Sequence, residues 1–374
     1  MTTHTKGRVL EPARVPPPGR ILSQELESRG WSQADLAAVM GRPQQVISEI
    51  VNAKKQITPQ TALELAQAFG TSAEFWTNLE TNYQLHKARS RGGDDAITRR
   101  RRLYELAPVR ELTKRGWIDD VDALDDLERE VCALLGIASP DETPKALARF
   151  RQGRPRDPVM AAQACWLARV DSLARQQDLG SARCNADHLV PGLLALTEHL
   201  EGVQGVSAHL QRCGIRFLIV PHLPKTSIDG AAFRLDGQDP VVTVTLRYDR
   251  IDNFWFTLLH EVAHIVLGHD DVFADQVHGQ DPAALASAER AANAHARDWL
   301  IPPDAFTAFV AEADFTRGSI RRFAAAVQRH PGIIVGRLQN EGHLTYRQHR
   351  PYLEKVEPLL AATIDTAGQT QNAA

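Results

Sequence analysis

The sequence predicts an α+β protein that is mostly helical: an N-terminal bundle of five short helices, a helical middle region and a C-terminal domain with a small β-sheet. Three observations carry this expectation. Apolar residues recur at helical spacing over most of the 374 residues, as amphipathic helices require. Apolar runs of strand length, rich in Val, Ile and Thr, appear only between Arg216 and Leu246. Helix-start and helix-stop residues alternate with short amphipathic patterns from Gly19 to Ala88.

A chain of 374 residues exceeds one ordinary core and implies two or three domains. With 43% hydrophobic and 24% charged residues, and Gly and Pro scattered, the bulk folds rather than staying disordered. A net charge of −3 argues against attraction of the whole molecule to nucleic acid, so any DNA binding would have to use a local basic face. No apolar run follows Thr2 to Lys6 and no stretch reaches the length of a membrane span, which predicts a cytoplasmic protein without membrane contact. Cys132, Cys165, Cys184 and Cys213 lie far apart with no Cys-x-x-Cys pair, and read as four buried reduced thiols.

Taken in order, residues 1–18 end in Pro16-Pro17-Pro18 and form an extended arm. The five helices fill 19–88, signalled by Ser32 before Ala34-Asp35-Leu36-Ala37, Pro43 before Val46 and Ile47, Thr58-Pro59 before Leu63 and Leu65, and Gly70 after Phe69. Residues 89–102 carry Arg89, Arg91 and Arg99 to Arg102 around Gly92-Gly93 and read as a basic linker. Residues 103–213 are helical, through Leu124, Leu127, Val131, Leu134 and Leu135 and again through Trp166, Leu167, Val170 and Leu173, without a chemistry-bearing motif. In 214–345, strands are expected at 216–220, 231–235 and 241–246, then a helix from near Asn253 and further helices around 286–300, 304–312, 318–328 and 332–340. Residues 346–374 form a tail, fraying from Ile364 onward.

Within the first bundle, the spacing of Leu36, Ala37, Val46 and Ile47 lets one helix pack across another, and Gly41 supplies the sharp turn between them. The run from Ser32 to Ser48 resembles the helix-turn-helix of the XRE, or lambda-repressor-like, family, and residues 8–88 are similar in layout to HigA-type antitoxins within it. In that geometry the second helix enters the major groove of double-stranded DNA. Gln44, Gln45, Ser48 and Glu49 then read base edges, while Arg42, Asn52, Lys54 and Lys55 lie near phosphates.

The chemistry-bearing pattern is His260-Glu261-Val262-Ala263-His264 in an apolar frame from Phe254 to Leu267. Histidines four apart share one helical face and can bind one Zn2+, and the glutamate beside the first can activate a water. Glu289, on a following helix that ends at Leu300-Ile301-Pro302, can supply the third ligand, and Asn293, one turn later, can orient a ligating histidine through its second ring nitrogen. His269, Asp270, Asp271 and His278 read as surface or loop residues, since three ligands complete the set, while His295 is a further candidate for oxyanion stabilisation.

His-Glu-x-x-His paired with Glu-x-x-x-Asn and Leu-Ile-Pro resembles the ImmA/IrrE family of metallopeptidases over roughly 215–345, as does Gly336-Arg337-Leu338 with Asn340-Glu341-Gly342. The resemblance implies a zincin-like domain that cleaves a regulatory protein, commonly an XRE-type repressor, or controls one without peptidase turnover. Two functions therefore stand side by side. One is a DNA-binding regulator with a zinc endopeptidase, in which Glu261 is the general base. The other is an autoregulating antitoxin or repressor whose metal domain only senses or grips a partner such as a toxin. In either case a two-fold operator implies a homodimer.

Overall fold

The computed structural model describes residues 15–89, 94–144, 157–180, 186–269 and 282–365. The chain divides into two units, Met1–Arg99 and Arg100–Ala374. Most of the expected arm, residues 1–14, lies outside the described residues.

The first unit holds the five expected helices, α1 (Pro18–Arg29), α2 (Gln33–Met40), α3 (Gln44–Val51), α4 (Pro59–Phe69) and α5 (Ala73–Arg89). Local chemistry sets their ends. The Ser32 hydroxyl accepts from Asp35 N while the Asp35 carboxylate accepts from Ser32 N, so two orphan donors at the start of α2 are satisfied reciprocally. Gly41 closes α2 at φ +62°, a left-handed conformation that costs glycine little and reverses the chain into α3 within three residues. Leu22, Leu36, Ile47, Ile50, Leu65 and Trp76 form the core, each worth about 1.5–3 kcal/mol of burial.

The second unit begins differently from expectation. In place of the latter part of a linker stands α6 (Asp94–Leu106). Arginine is a good helix former, and fully buried Leu103 anchors the segment, so its charge run does not make it a loop. Helices α7 (Val109–Lys114), α8 (Leu124–Leu135), α9 (Pro158–Gln176), α10 (Leu189–Leu194) and α11 (Val206–Arg212) follow.

Strands β1 (Arg216–Ile219), β2 (Gly230–Leu235) and β3 (Asp239–Val244) form a sheet in the order β1-β3-β2, with β1 parallel and β2 antiparallel to β3. The two-residue period of a strand sends alternate side chains to opposite faces. Phe217, Ile219, Ala232, Val242 and Val244 join one cluster with Phe254 and Leu258. Leu218, Ala231, Phe233 and Val241 join another with Trp166 and Val170 of α9. Trp166 Nε1 also donates to Val220 O at 3.0 Å. The helices before the sheet therefore share a core with it, and residue 213 does not separate two cores.

Beyond the sheet run α12 (Ile251–Val266), α13 (Pro282–Leu300), α14 (Pro303–Ala311), α15 (Arg317–Val327) and α16 (Pro331–Asn340), close to the expected spans. The segment expected as a tail is packed as far as Asp365. Val356 and Leu360 are buried, Ile364 bridges to Ile219, and Arg169 grips the Asp365 carboxylate with two bonds of 2.9 Å. Residues 366–374 lie outside the described residues.

Cys132 and Cys165 are free and buried, and burial pushes the Cys165 thiol up to about 12. Cys213, by contrast, is disulfide-bonded, which corrects the expectation of four free thiols; Cys184 lies outside the described residues. Disulfide pairing follows proximity in the fold, which spacing along the chain does not reveal. No described helix is long and apolar enough to cross a membrane.

Candidate metal centre and nucleic-acid interface

Helix α12 is apolar on most sides because it lies between the sheet and the C-terminal helices, with Phe254, Trp255, Leu258, Leu259 and Val262 all buried. His260 and His264, one turn apart, share the face that meets α13. There His260 Nε2 stands 3.2 Å from Glu289 Oε2, and His264 Nε2 stands 3.4 Å from Glu289 Oε1. The two Nε2 atoms are 3.0 Å apart. One donor atom from each residue lies within 4.8 Å of the others. Ligands at about 2.1 Å in a tetrahedron are spaced by about 3.4 Å, so these separations fit a single zinc-sized ion.

The outer nitrogens are held as well. His260 Nδ1 lies 3.1 Å from Asn293 Oδ1, so the ring donates Nδ1–H to the carboxamide and keeps its Nε2 lone pair for the centre. His264 Nδ1 lies 3.1 Å from His269 Nδ1. His269 lies in the loop after α12, as expected, and there it is also the partner of a ligand candidate; Gly268 turns the chain back after α12, a three-dimensional consequence invisible in residue types. Asp270, Asp271 and His278 lie outside the described residues. His295 donates to Ala291 O at 2.9 Å and packs edge-on against Trp299, away from the cleft.

Electrostatics favour ligation. Burial, reinforced by neighbouring His260, depresses His264 to about 4, so its imidazole is neutral at physiological pH. For Glu289, burial works to raise the carboxyl, but the hydrogen bond from His260 and the charges of His260, His264 and His269 outweigh it and hold it below the usual carboxylate range. Two imidazoles and one carboxylate form a donor set that suits zinc and leaves coordination positions open.

Glu261 is buried beside the cluster, against the start of β2. A Cβ on Gly230 would come within 2.8 Å of Glu261 Oε1 and 2.9 Å of Thr243 O, so only glycine leaves room for the carboxylate there. Sequence reading overlooked Gly230, although a glycine opening a strand is a sign of close approach. Both residues border a cleft of about 290 Å3 that the three ligand candidates line.

In the first unit, α3 buries Ile47 and Ile50 and turns Gln44 and Gln45 outward, with Ser48 and Glu49 half-exposed. Gln45 Nε2 donates to Glu49 Oε1 at 3.1 Å, and Asn52 Nδ2 donates to Ser48 O at 2.8 Å. Asn52, Lys54 and Lys55 are exposed beyond its end. Arg42, expected near a phosphate, is paired within the unit. Its Nε and Nη2 fork onto Glu64 Oε2 and Oε1 at 2.5 and 2.8 Å, tying the turn to α4. That hydrogen bonding raises Arg42 and lowers Glu64 from their ordinary values.

The fold and sites define a protein with a helix-turn-helix unit and a second unit bearing a two-histidine, one-glutamate cluster. A helix-turn-helix family model matches residues 22–76. An uncharacterized HTH-type transcriptional regulator from Haemophilus influenzae is 40% identical over 68 residues, which cover 18% of this chain and 64% of that protein. Virulence-associated protein A from Dichelobacter nodosus is 38% identical over 74 residues, covering 19% and 72%. The chain thus spans about two thirds of the length of these relatives. Among solved structures, an addiction module antidote protein of a HigA family from Coxiella burnetii shares 36% identity, covering 23% of this chain and 94% of that one, with a TM-score of 0.22. Through residues 22–76 the chain belongs to the helix-turn-helix family.

Proposed function

We propose that the chain is a DNA-binding regulator whose second unit is a zinc-dependent endopeptidase acting on a regulatory protein. The observation that carries the enzymatic reading is the convergence of His260, His264 and Glu289 on one point, with the buried Glu261 carboxylate lining the same cleft. It agrees with the resemblance of His-Glu-x-x-His and Glu-x-x-x-Asn to the ImmA/IrrE metallopeptidases.

His260, His264 and Glu289 would hold a Zn2+ ion, which when bound would supply Lewis acidity toward a peptide carbonyl and toward water in the cleft. The residues of the chain do the rest. Glu261 takes a proton from the attacking water at its carboxylate and passes it to the leaving amine nitrogen, so that one peptide bond is exchanged for a carboxylate and an amine. Asn293 fixes the tautomer of His260, and His269 faces the corresponding nitrogen of His264.

On the DNA side, the outward residues Gln44, Gln45, Ser48 and Glu49 of α3 face the major groove, with Asn52, Lys54 and Lys55 near phosphates. Two copies of the chain read a two-fold operator. The Haemophilus influenzae relative named as an HTH-type transcriptional regulator supports this assignment.

The test compares the zinc-loaded wild type with Glu261→Gln, which keeps all three ligands but lacks the base. Both are incubated with a peptide library, and new termini are read by mass spectrometry. Cleavage by the wild type that the variant loses at equal zinc content is the expected result. Absence of cleavage by both, with zinc held and partner binding intact, would make the second unit a sensing module.

A further inference from the structure

The cleft at the metal centre continues into a second hollow of about 410 Å3, and Asn253, Phe256, Asn293 and Asn340 line both. Helix periodicity explains the continuity. On α12, Phe256 stands one turn before His260 and Asp252 a turn earlier still, while on α13 Asn293 follows Glu289 by one turn and Arg297 by two. Four residues advance a helix by about 6 Å, so two turns extend the groove by about 12 Å. That is the length of three to four residues of extended chain at about 3.3 Å each.

The floor is apolar. Leu300, Ile301 and Ile333 are buried beneath it, and Phe256 stands at the lip, 37% exposed, its ring centroid 6.4 Å from that of His260. A large aromatic left in water beside a polar cluster is a feature of ligand-binding clefts. The charged walls are already paired. Arg337 Nε donates to Glu341 at 2.9 Å with its guanidinium 3.9 Å over the Phe306 ring, Arg250 forks onto Asp252, and Arg297 Nε donates to Asp298 at 2.9 Å. Between floor and metal centre stand the Asn253 and Asn340 carboxamides, whose donors and acceptor complement a peptide unit.

We infer that this hollow is the subsite for a bulky apolar side chain of the substrate, adjacent to the bond that is cut. Phe256 and Ile333 set the preference, and Asn253 and Asn340 hold the peptide backbone. The inference rests on the peptidase reading and goes beyond it by naming the class of substrate side chain. A small or charged side chain gains nothing from the floor, whereas an aliphatic or aromatic one exchanges water for apolar contact.

The test uses the full zinc-loaded chain and measures binding of three probes by calorimetry: acetohydroxamic acid, phenylacetohydroxamic acid and malonohydroxamic acid. They share one metal-binding group and differ in the appended methyl, benzyl or carboxymethylene part, so metal binding cancels in the comparison. The benzyl probe should bind about tenfold tighter than the methyl probe, since burying an aromatic ring is worth about one such factor or more. Phe256→Ala, at an exposed position, and Asn340→Trp, which plugs the groove from its rim, should each bring the ratio of benzyl to methyl affinity close to one. Equal affinity for the benzyl and methyl probes, a preference for the acidic probe, or an advantage surviving both variants overturns the subsite and leaves the metal reading intact. If none of the probes binds and the chain holds no zinc, the subsite and the peptidase reading fall together.

Discussion

In the first unit the residues offered to a ligand stand on one exposed helix of eight residues and its following turn, whereas in the second they come from two helices and are largely buried. Gln44 and Gln45 touch little beyond their own helix. His260 and His264 each have the outer ring nitrogen engaged, and Glu261 fits only because Gly230 has no side chain. The difference is one of coupling. Substitutions on α3 change what is recognised without disturbing the core, while substitutions around the cluster change the site through the residues that position it.

The largest effect expected from this contrast is at Glu289. Glu289→Ala leaves two imidazoles to hold the ion, and zinc affinity should fall by more than about 100-fold, beyond what loss of a supporting partner costs. Because Glu289 lies on α13 and the histidines on α12, zinc staples two helices, and chelator should lower the melting temperature of the wild type but not of the variant. Asn293→Ala and His269→Ala come next, each with zinc affinity reduced about 10–100-fold and the fold intact. A titration with a competing chelator ranks all three; no effect of His269→Ala would remove it from the site.

The same contrast explains how much was legible in the sequence. Ser32 with Asp35, Gly41 and the strands at 216–246 are local signals, and the structure repeats them nearly residue for residue. His260 and His264 are legible for the same reason, since four residues on a helix guarantee a shared face. What escaped is set by tertiary packing. The fork of Arg42 onto Glu64 spans 22 residues, His269 meets His264 only because the chain turns after α12, and the shared faces of the sheet join helices that the sequence sets apart. The charge run at Arg99 to Arg102 misled because propensity and one buried leucine made a helix where composition suggested a linker.

On the exposed side the effects are smaller. Gln45→Ala should cost about 1–3 kcal/mol of specific DNA binding, leave non-specific binding and zinc content unchanged, and do so in a salt-controlled gel-shift titration. Smaller still is Glu64→Gln, which releases Arg42 and removes a negative charge near α3. DNA affinity should rise a few-fold with a steeper salt dependence, and an unchanged affinity would mean that Arg42 lies away from the phosphates. The pair also predicts a pH effect. Because Glu64 is held below its ordinary value in the fold, its contribution to stability is present above the usual carboxylate range and is lost as pH falls through it. Melting curves of the wild type should therefore drop more steeply on acidification than those of Glu64→Gln.

The central claim, that two helices of the second unit form one zinc centre, is tested most directly by the metal content of the purified chain measured by native mass spectrometry. About one zinc per chain is expected in the wild type and in Glu261→Gln, and none retained in Glu289→Ala after dialysis against a weak chelator. Equal zinc in the wild type and Glu289→Ala, or a wild type that takes up none, would contradict it.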